Sequence, residues 1–79
     1  MRTVMVLCPT YQRAVYEWER MQRIYPYVWT HSSKNPLSLT HINETKYIFD
    51  VDTQRALLGF RGDVIYIDEF IGEDFIANS

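Results

Sequence analysis

Two short, uninterrupted apolar runs constrain the fold of this chain more than any other feature. Thr3 to Leu7 is β-branched and apolar and is closed by Pro9, and Val64 to Ile67 is the strongest strand pattern in the sequence. Runs without polar alternation are typical of strands that are buried on both faces, as in parallel sheets. With a helical segment after the first run, they predict an α/β fold in which crossovers join parallel strands.

A helix is predicted over residues 11–25, directly after the first run. Apolar side chains recur there at steps of three and four residues, which places them on one face of a helix. Thr10 can cap its start, and Pro26 ends it because proline cannot continue the backbone hydrogen bonding. Glu17 falls off the apolar face and can pair with arginines on either side. The apolar face consists of Tyr11, Ala14, Val15, Trp18, Met21, Ile24 and Tyr25.

The predicted fold class is α/β, with a small, three-layer-like parallel sheet. The first and last strands suit a parallel sheet better than an antiparallel meander, because both are apolar on both faces. The predicted elements are about three strands at 3–8, 46–49 and 63–68, a long helix at 11–25 and a short helix at 53–58.

The length of 79 residues allows a single domain, 1–79. Polar residues and Pro36 predict a loop over 31–45, and one interpretation of 27–30 is a short strand before it. Residues 71–79 show no clear pattern and are interpreted as a C-terminal tail.

Aromatic residues are more numerous than a small core can hide. The chain has two Trp, six Tyr and four Phe, and 47% of its residues are hydrophobic, which indicates a folded globule rather than a disordered segment. Some of this aromatic surface is expected to face a partner, since Tyr and Trp are favoured at protein interfaces. The predicted aromatic contact surface consists of Tyr25, Tyr27 and Trp29, which cluster around Pro26.

Charge is unevenly distributed along the chain. Residues 1–40 carry five Arg and Lys against two Glu, a net charge of +3, and residues 41–79 carry three against eight acids, a net charge of −5. A net acidic chain binds nucleic acid weakly, whereas an acidic patch suits a basic protein partner. The acidic contact residues predicted near the C-terminus are Asp68, Glu69, Glu73 and Asp74.

The single cysteine, Cys8, cannot form an internal disulfide, which fits a reducing compartment. It ends an apolar strand, so a buried, inert thiol is expected rather than a nucleophile. His31 and His41 have no recognised ligand spacing with Cys8, and no metal site is predicted. No stretch approaches the roughly 18–20 apolar residues of a membrane span. The protein is therefore expected in the cytoplasm, that of the host if a phage encodes it, without a membrane partner.

Two segments, taken together and in order, resemble a known family. Motif Ia of superfamily 2 helicases, with the matching strand of phage terminase large subunits, is similar to Val6-Leu7-Cys8-Pro9-Thr10-Tyr11. The approach to Walker B in the same proteins resembles Phe60-Arg61-Gly62-Asp63-Val64-Ile65-Tyr66-Ile67-Asp68-Glu69. The resemblance covers about residues 3–70. It implies a segment of a P-loop NTPase core in which these two strands are neighbours.

The Walker A loop of that family is missing from the sequence. Its pattern, G-x-x-x-x-G-K-[ST], cradles the phosphates, and the glycines Gly59, Gly62 and Gly72 do not form it. By resemblance, Asp68 would hold a water on Mg²⁺ and Glu69 would polarise the attacking water, but neither has a triphosphate to act on. The chain is therefore predicted not to be an enzyme and to need no cofactor.

The favoured hypothesis is a small non-catalytic interaction protein, of a kind that phages encode, which inhibits or modulates a larger protein. Without the strands that precede it in the family, the strand at 63–68 is expected at an exposed apolar edge, where copies of the chain can pair into a homo-oligomer. One alternative is part of a split NTPase that another chain completes in trans.

A nucleic-acid-binding accessory factor is the other alternative. In helicases motif Ia touches the strand backbone, so the equivalent turn and the helix after it would make the contacts. The residues in that position are Thr10, Arg13, Arg20 and Arg23.

Overall fold

The computed structural model describes residues 2–53 and 55–67, in which five strands and one α-helix follow one another along the chain. The strands are β1 (Arg2–Cys8), β2 (Trp29–Lys34), β3 (Leu37–His41), β4 (Thr45–Val51) and β5 (Asp63–Tyr66), and the helix is α1 (Tyr11–Ile24).

The strands form one mixed sheet in the order β2-β3-β4-β1-β5. β1 lies between β4 and β5 and is parallel to both, with Val4 opposite Tyr47 on one side and opposite Asp63 on the other. β3 is antiparallel to both β2 and β4. A parallel centre is therefore extended on one side by an antiparallel meander.

The predicted sheet of about three parallel strands is wrong. The sheet has five strands and is mixed, and the additional strands β2 and β3 occupy much of the segment 31–45 that was predicted as a loop. The three expected strands lie in this sheet at Arg2–Cys8, Thr45–Val51 and Asp63–Tyr66. The last of them was predicted to reach residue 68, which lies outside the described residues.

Two tight turns build the meander from a segment without glycine. Asn35 and Pro36, joined by a cis peptide bond, connect β2 to β3. The β3–β4 turn closes through a hydrogen bond from the amide of Glu44 to the carbonyl of His41 at 2.9 Å, and Glu44 has a φ of 72°. Glycine or asparagine is usual at such a position, because other side chains crowd the backbone when φ is positive.

α1 is a short helix rather than the long helix predicted at 11–25. It has 14 residues, so at 1.5 Å per residue it is about 21 Å long, and it is the only α-helix among residues 2–53 and 55–67. Thr10 caps its start, because its hydroxyl accepts a hydrogen bond from the amide of Arg13 at 3.1 Å. In the part of the chain that the structure describes, no helix is long and apolar enough to cross a membrane.

The short helix predicted at 53–58 is replaced by successive turns in the described part of that segment. The amide of Ala56 donates to the carbonyl of Thr53, and the amide of Leu58 to that of Arg55, both at 3.2 Å and both over three residues. Gly59 follows with a φ of 70°, which turns the chain away from any helical continuation.

α1 covers one face of the sheet and contributes the side chains that close the core. Ala14 and Met21 are fully buried on its inner side. Tyr11 and Ile24, at the ends of the predicted apolar face, are instead 54% and 38% exposed. The sheet and the residue after β5 contribute Val4, Val6, Cys8, Leu37, Leu39, Tyr47, Phe49 and Ile67 to the same core.

The opposite face of the sheet is buried at its centre. Side chains alternate along a strand, so Met5 and Leu7 point away from α1, yet they are only 6% and 1% exposed. The chain crosses β1 between β4 and β5, and the right-handed rule for parallel crossovers puts this connection on the face opposite α1. The far end of the sheet differs, since every residue of β2 after Trp29 is exposed.

Candidate functional site

The aromatic residues predicted as a contact surface do not form one patch. Tyr25 caps the C-terminal end of α1, packs against the core and donates its amide to the carbonyl of Met21. Trp29 also packs against the core, and its indole Nε1 donates to the same carbonyl at 3.2 Å. Tyr27 is fully open to solvent, with 91% of the residue exposed.

β5, which begins the Walker B-like segment, is an outer strand among residues 2–53 and 55–67 and pairs in parallel with β1. Neighbouring parallel strands occur in many α/β folds, so the resemblance to a P-loop NTPase core stays a prediction. The acidic contact residues predicted after β5 lie outside the described residues: Asp68, Glu69, Glu73 and Asp74.

The residues predicted to bind nucleic acid do not converge on one open surface. Arg13 and Arg20 both pair with Glu17, at 3.0 and 3.5 Å, and Glu17 is only 2% exposed. Thr10 is engaged as the helix cap. Arg23 is exposed in the last turn, at the other end of α1 from Thr10 and about 20 Å away from it.

A cleft of about 290 Å³ lies between the C-terminal end of α1 and β2, and we call it the helix-side cleft. The side chain of Gln22 makes hydrogen bonds to both walls of this cleft. The amide nitrogen of Gln22 donates to the carbonyl of Trp18 at 3.2 Å, and its amide oxygen accepts from the hydroxyl of Ser32 at 3.0 Å. The lining residues are Gln22, Pro26, Trp29, Thr30, His31 and Ser32.

A second cleft, of about 540 Å³, lies between β2 and the β3–β4 turn, and we call it the turn-side cleft. It combines an ammonium group, a carboxylate, two imidazoles and two hydroxyls with one large apolar side chain. Ile42, at the tip of the turn, is 59% exposed. The lining residues are Thr30, His31, Thr40, His41, Ile42, Glu44 and Lys46.

His41 is held in a defined orientation at the boundary of the two clefts. Its Nδ1 accepts a hydrogen bond from the amide of Asn43 at 3.1 Å, so the neutral ring carries its proton on Nε2. The ring meets that of Trp29 edge-on, with centroids 5.5 Å apart. Because Trp29 lines the helix-side cleft and His41 the turn-side cleft, this contact joins their walls.

Three polar side chains stand in a row across the sheet at the turn-side cleft. His31 of β2 lies opposite Thr40 of β3, which lies opposite Lys46 of β4. Directly opposed residues in antiparallel strands have their side chains roughly 5 Å apart. The row therefore presents an imidazole, a hydroxyl and an ammonium group side by side.

A bulge at Thr30 shapes β2 where the two clefts meet. The register shifts between Trp29 and His31, which leaves Thr30 as the extra residue, and its hydroxyl donates to the carbonyl of Thr40 at 3.2 Å. Pairing resumes beyond the bulge, where the amide of Ile42 donates to the carbonyl of Val28 at 2.8 Å. Such bulges locally redirect side chains, which is how Thr30 and His31 come to line both clefts.

Reactive groups elsewhere in the described residues are few. No three His, Cys, Asp or Glu side chains in residues 2–53 and 55–67 lie close enough to hold a metal ion. Cys8 is fully buried, and this desolvation, reinforced by the charge of Glu17, raises the pKa of its thiol to about 12. The thiolate, which is the reactive form of cysteine, is therefore suppressed at neutral pH.

We expect Cys8 to resist 5,5′-dithiobis(2-nitrobenzoic acid) in the folded protein at pH 8 and to react fully in urea. The thiol of the unfolded chain ionises near pH 9, whereas the folded thiol stays protonated up to about 12. The stability contributed by the neutral thiol is thus complete below about pH 9 and is lost as the pH rises towards 12. Full labelling of the native protein within minutes would contradict this placement of the thiol.

The residues that line the clefts were mostly missed by sequence reasoning. Gln22, Thr40 and Lys46 drew no functional interpretation, and His31 and His41 were considered only as metal ligands. The available signal was the alternation of Leu37 and Leu39 with polar neighbours, which is the period of a half-buried strand.

Comparison with known protein families, with curated proteins and with solved structures finds no match for the chain.

Proposed function

We propose that this chain is a small non-catalytic interaction protein that binds a larger protein, with the two clefts beside β2 as its contact surface. One observation carries the proposal: β2, an outer strand among the described residues, has a cleft on each side, and the exposed side chain of Ile42 lines one of these clefts. Tyr27 follows Pro26 of the helix-side cleft and is 91% exposed, and Ile42 of the turn-side cleft is 59% exposed.

The composition of this surface is typical of a protein contact rather than of a substrate site. Ile42 contributes apolar area, while Gln22, His31 and Lys46 provide hydrogen-bonding groups in the two clefts. Large apolar side chains that stand in water next to concave, polar-rimmed surfaces commonly mark places where another molecule docks. Inhibition or modulation of that partner, as a phage-encoded protein would exert it, is part of the same proposal.

Site-specific photo-crosslinking tests this function. A benzophenone amino acid in place of Ile42 should capture a protein in the cell that expresses the chain, and the same amino acid in place of Leu58 should not. Leu58 is a suitable control because it is 77% exposed but lines neither cleft. Mass spectrometry of the adduct identifies the partner.

Equal capture of the same proteins from both positions would count against the proposal, because it would mean that exposure alone determines crosslinking. Absence of any protein adduct from position 42, with the chain tagged at either end, would also oppose it. Thermal melting of each variant establishes that the fold is intact before the comparison is made.

The geometry gives less support to the two alternative functions. A nucleic-acid-binding factor would need Arg13 and Arg20, and both are engaged by Glu17. The split NTPase depends on Asp68 and Glu69, which lie outside the described residues. Pairing of copies through the β5 edge stays a prediction.

A further inference from the structure

We infer that β2 binds an acidic, extended segment of a partner protein, which joins the sheet as an additional strand next to β2. This inference rests on the proposed function and names its binding mode and the chemistry of its partner. Three features lie together and carry this inference. β2 is an outer strand among the described residues, a cleft lies beside it on each face of the sheet, and basic residues outnumber acidic ones around it.

β2 offers backbone groups for strand addition. Among residues 2–53 and 55–67 its one strand neighbour is β3, and residues Thr30 to Lys34 are all exposed. In an antiparallel pair, alternate residues turn their N–H and C=O groups away from the partner strand. An extended peptide can bind those groups with main-chain hydrogen bonds, which supply affinity without regard to sequence.

The two clefts supply the selectivity that main-chain bonding lacks. Successive side chains of an extended segment point to opposite faces of the sheet, so neighbouring residues of a docked strand enter different clefts. The helix-side cleft lies on the face of α1, the turn-side cleft extends to the row of His31, Thr40 and Lys46, and both clefts share Thr30 and His31. A strand laid along β2 would therefore place its alternate side chains next to Thr30 and His31, which line both clefts.

The charge around β2 favours an acidic segment. Residues 21–46 contain three basic residues and one acidic residue, which gives 3 − 1 = +2, and Arg20 is left out because it pairs with Glu17. Lys46 lines the turn-side cleft, Lys34 ends β2, and Arg23 is exposed next to Gln22 of the helix-side cleft. Glu44 is the single acid of this region. Opposite charges speed association and penalise partners of the wrong sign.

A second copy of the chain is a poor occupant of the same edge. Two β2 strands would bring two lysines and two histidines to one edge, and β2 has no aliphatic side chain to offer after Trp29. Exposed lysines and bulges are common devices by which proteins keep such edges from pairing with themselves. The occupant must therefore bring acidic and apolar side chains of its own.

Amide NMR of the full chain tests the inference with two capped peptides of about eight residues, close to the length of a strand. In one peptide Asp alternates with Val, and in the other Lys alternates with Val. We expect the acidic peptide to shift the amide signals of residues 29–34 and to slow hydrogen exchange at alternate positions of β2. The basic peptide should leave these signals unchanged.

Charge reversal provides the matched comparison. Lys46→Glu should weaken binding of the acidic peptide by about tenfold, since it replaces an attraction in the turn-side cleft by a repulsion. Arg61→Glu makes the same change of charge at an exposed residue that lines neither cleft, and it should change the dissociation constant by less than about twofold. Unchanged amide spectra away from the substitution show that both variants fold.

Five results would overturn the inference. Three concern the peptides: the acidic peptide fails to bind, it shifts residues 63–66 instead of β2, or the basic peptide binds equally well. A larger shift of β2 with single-stranded oligothymidine would make the occupant a phosphate chain, and a larger shift with rising protein concentration, without any peptide, would make it a second copy. If the acidic peptide fails while benzophenone in place of Ile42 still captures a protein, strand addition is wrong and the proposed function stands.

Discussion

Gly62→Ala is expected to destabilise the protein by about 2–4 kcal/mol, a large share of the stability of a small domain. Gly62 has a φ of 149°, which side-chain-bearing residues rarely adopt. A Cβ atom there would overlap the carbonyl oxygen of Thr3 in β1 and would lie 2.9 Å from the ring of Phe60. The ring of Phe60 can shift, but the carbonyl of Thr3 cannot give way without moving the β1–β5 pairing. Urea denaturation followed by tryptophan fluorescence measures the loss.

Gly59→Ala is the matched control for this substitution. Gly59 also has a positive φ, of 70°, but a Cβ atom there meets nothing within 4 Å. Only the backbone penalty remains, so the expected loss is about 1 kcal/mol. Equal losses for the two variants would mean that the contact with Thr3 is unimportant and that the backbone conformation alone demands glycine.

Glu17→Ala is expected to cost about 2–3 kcal/mol, although glutamate on a short helix usually contributes little. Glu17 is 2% exposed, and its two oxygens pair with Arg13 at 3.0 Å and Arg20 at 3.5 Å. Removing one partner of a buried ion pair typically costs 3–5 kcal/mol, roughly. The side chains of Arg13 and Arg20 are 25% and 17% exposed, so water recovers part of that cost. The free energy of unfolding in urea gives the value.

Glu19→Ala is the control on the same helix, because Glu19 is exposed. It should change the free energy of unfolding by less than about 0.5 kcal/mol. Glu17→Gln keeps the shape and one acceptor but removes the charge, so an intermediate loss is expected. Similar losses for Glu17→Ala and Glu19→Ala would show that the ion pairs contribute nothing beyond helix propensity.

The centre of the fold could be anticipated from local signals. The apolar run at Val4 to Leu7 identifies β1, and Thr10 marks the start of α1 because its hydroxyl satisfies a free amide of the first turn. The burial of Glu17 was not predicted because a carboxylate is expected in solvent. Its position does fit the buried face of α1, since it lies three residues after Ala14 and four before Met21.

The meander was not predicted because its second turn lacks the usual glycine, although Asn35-Pro36 marks the first turn. Glycine normally marks a turn that ends with positive φ, but Glu44 occupies that position. β2 offers no pattern at all, since its outward residues are polar on both faces. With these two strands unassigned, three apolar segments remained, and they indicated a purely parallel sheet.

The candidate site could not be predicted from the sequence, because two of the strands that form it were not predicted. Its residues come from the end of α1, from three strands and from a turn, so they meet only once the meander is in place. The aromatic residues around Pro26 did predict a contact surface in this segment. The sequence pattern could not distinguish Trp29, whose indole donates a hydrogen bond to the carbonyl of Met21, from Tyr27, which is exposed to solvent.

The position of β1 has a consequence for the order in which the protein assembles. β1 precedes the other described strands in the chain, yet it lies inside the sheet, and both of its partners, β4 and β5, are synthesised much later. The β2–β4 meander has short loops and can form early, whereas β1 must close long loops on either side, which slows folding. A nascent chain that ends before β5 would carry β1 as an unpaired apolar edge. Pairing of β5 is therefore the step that covers this edge of β1.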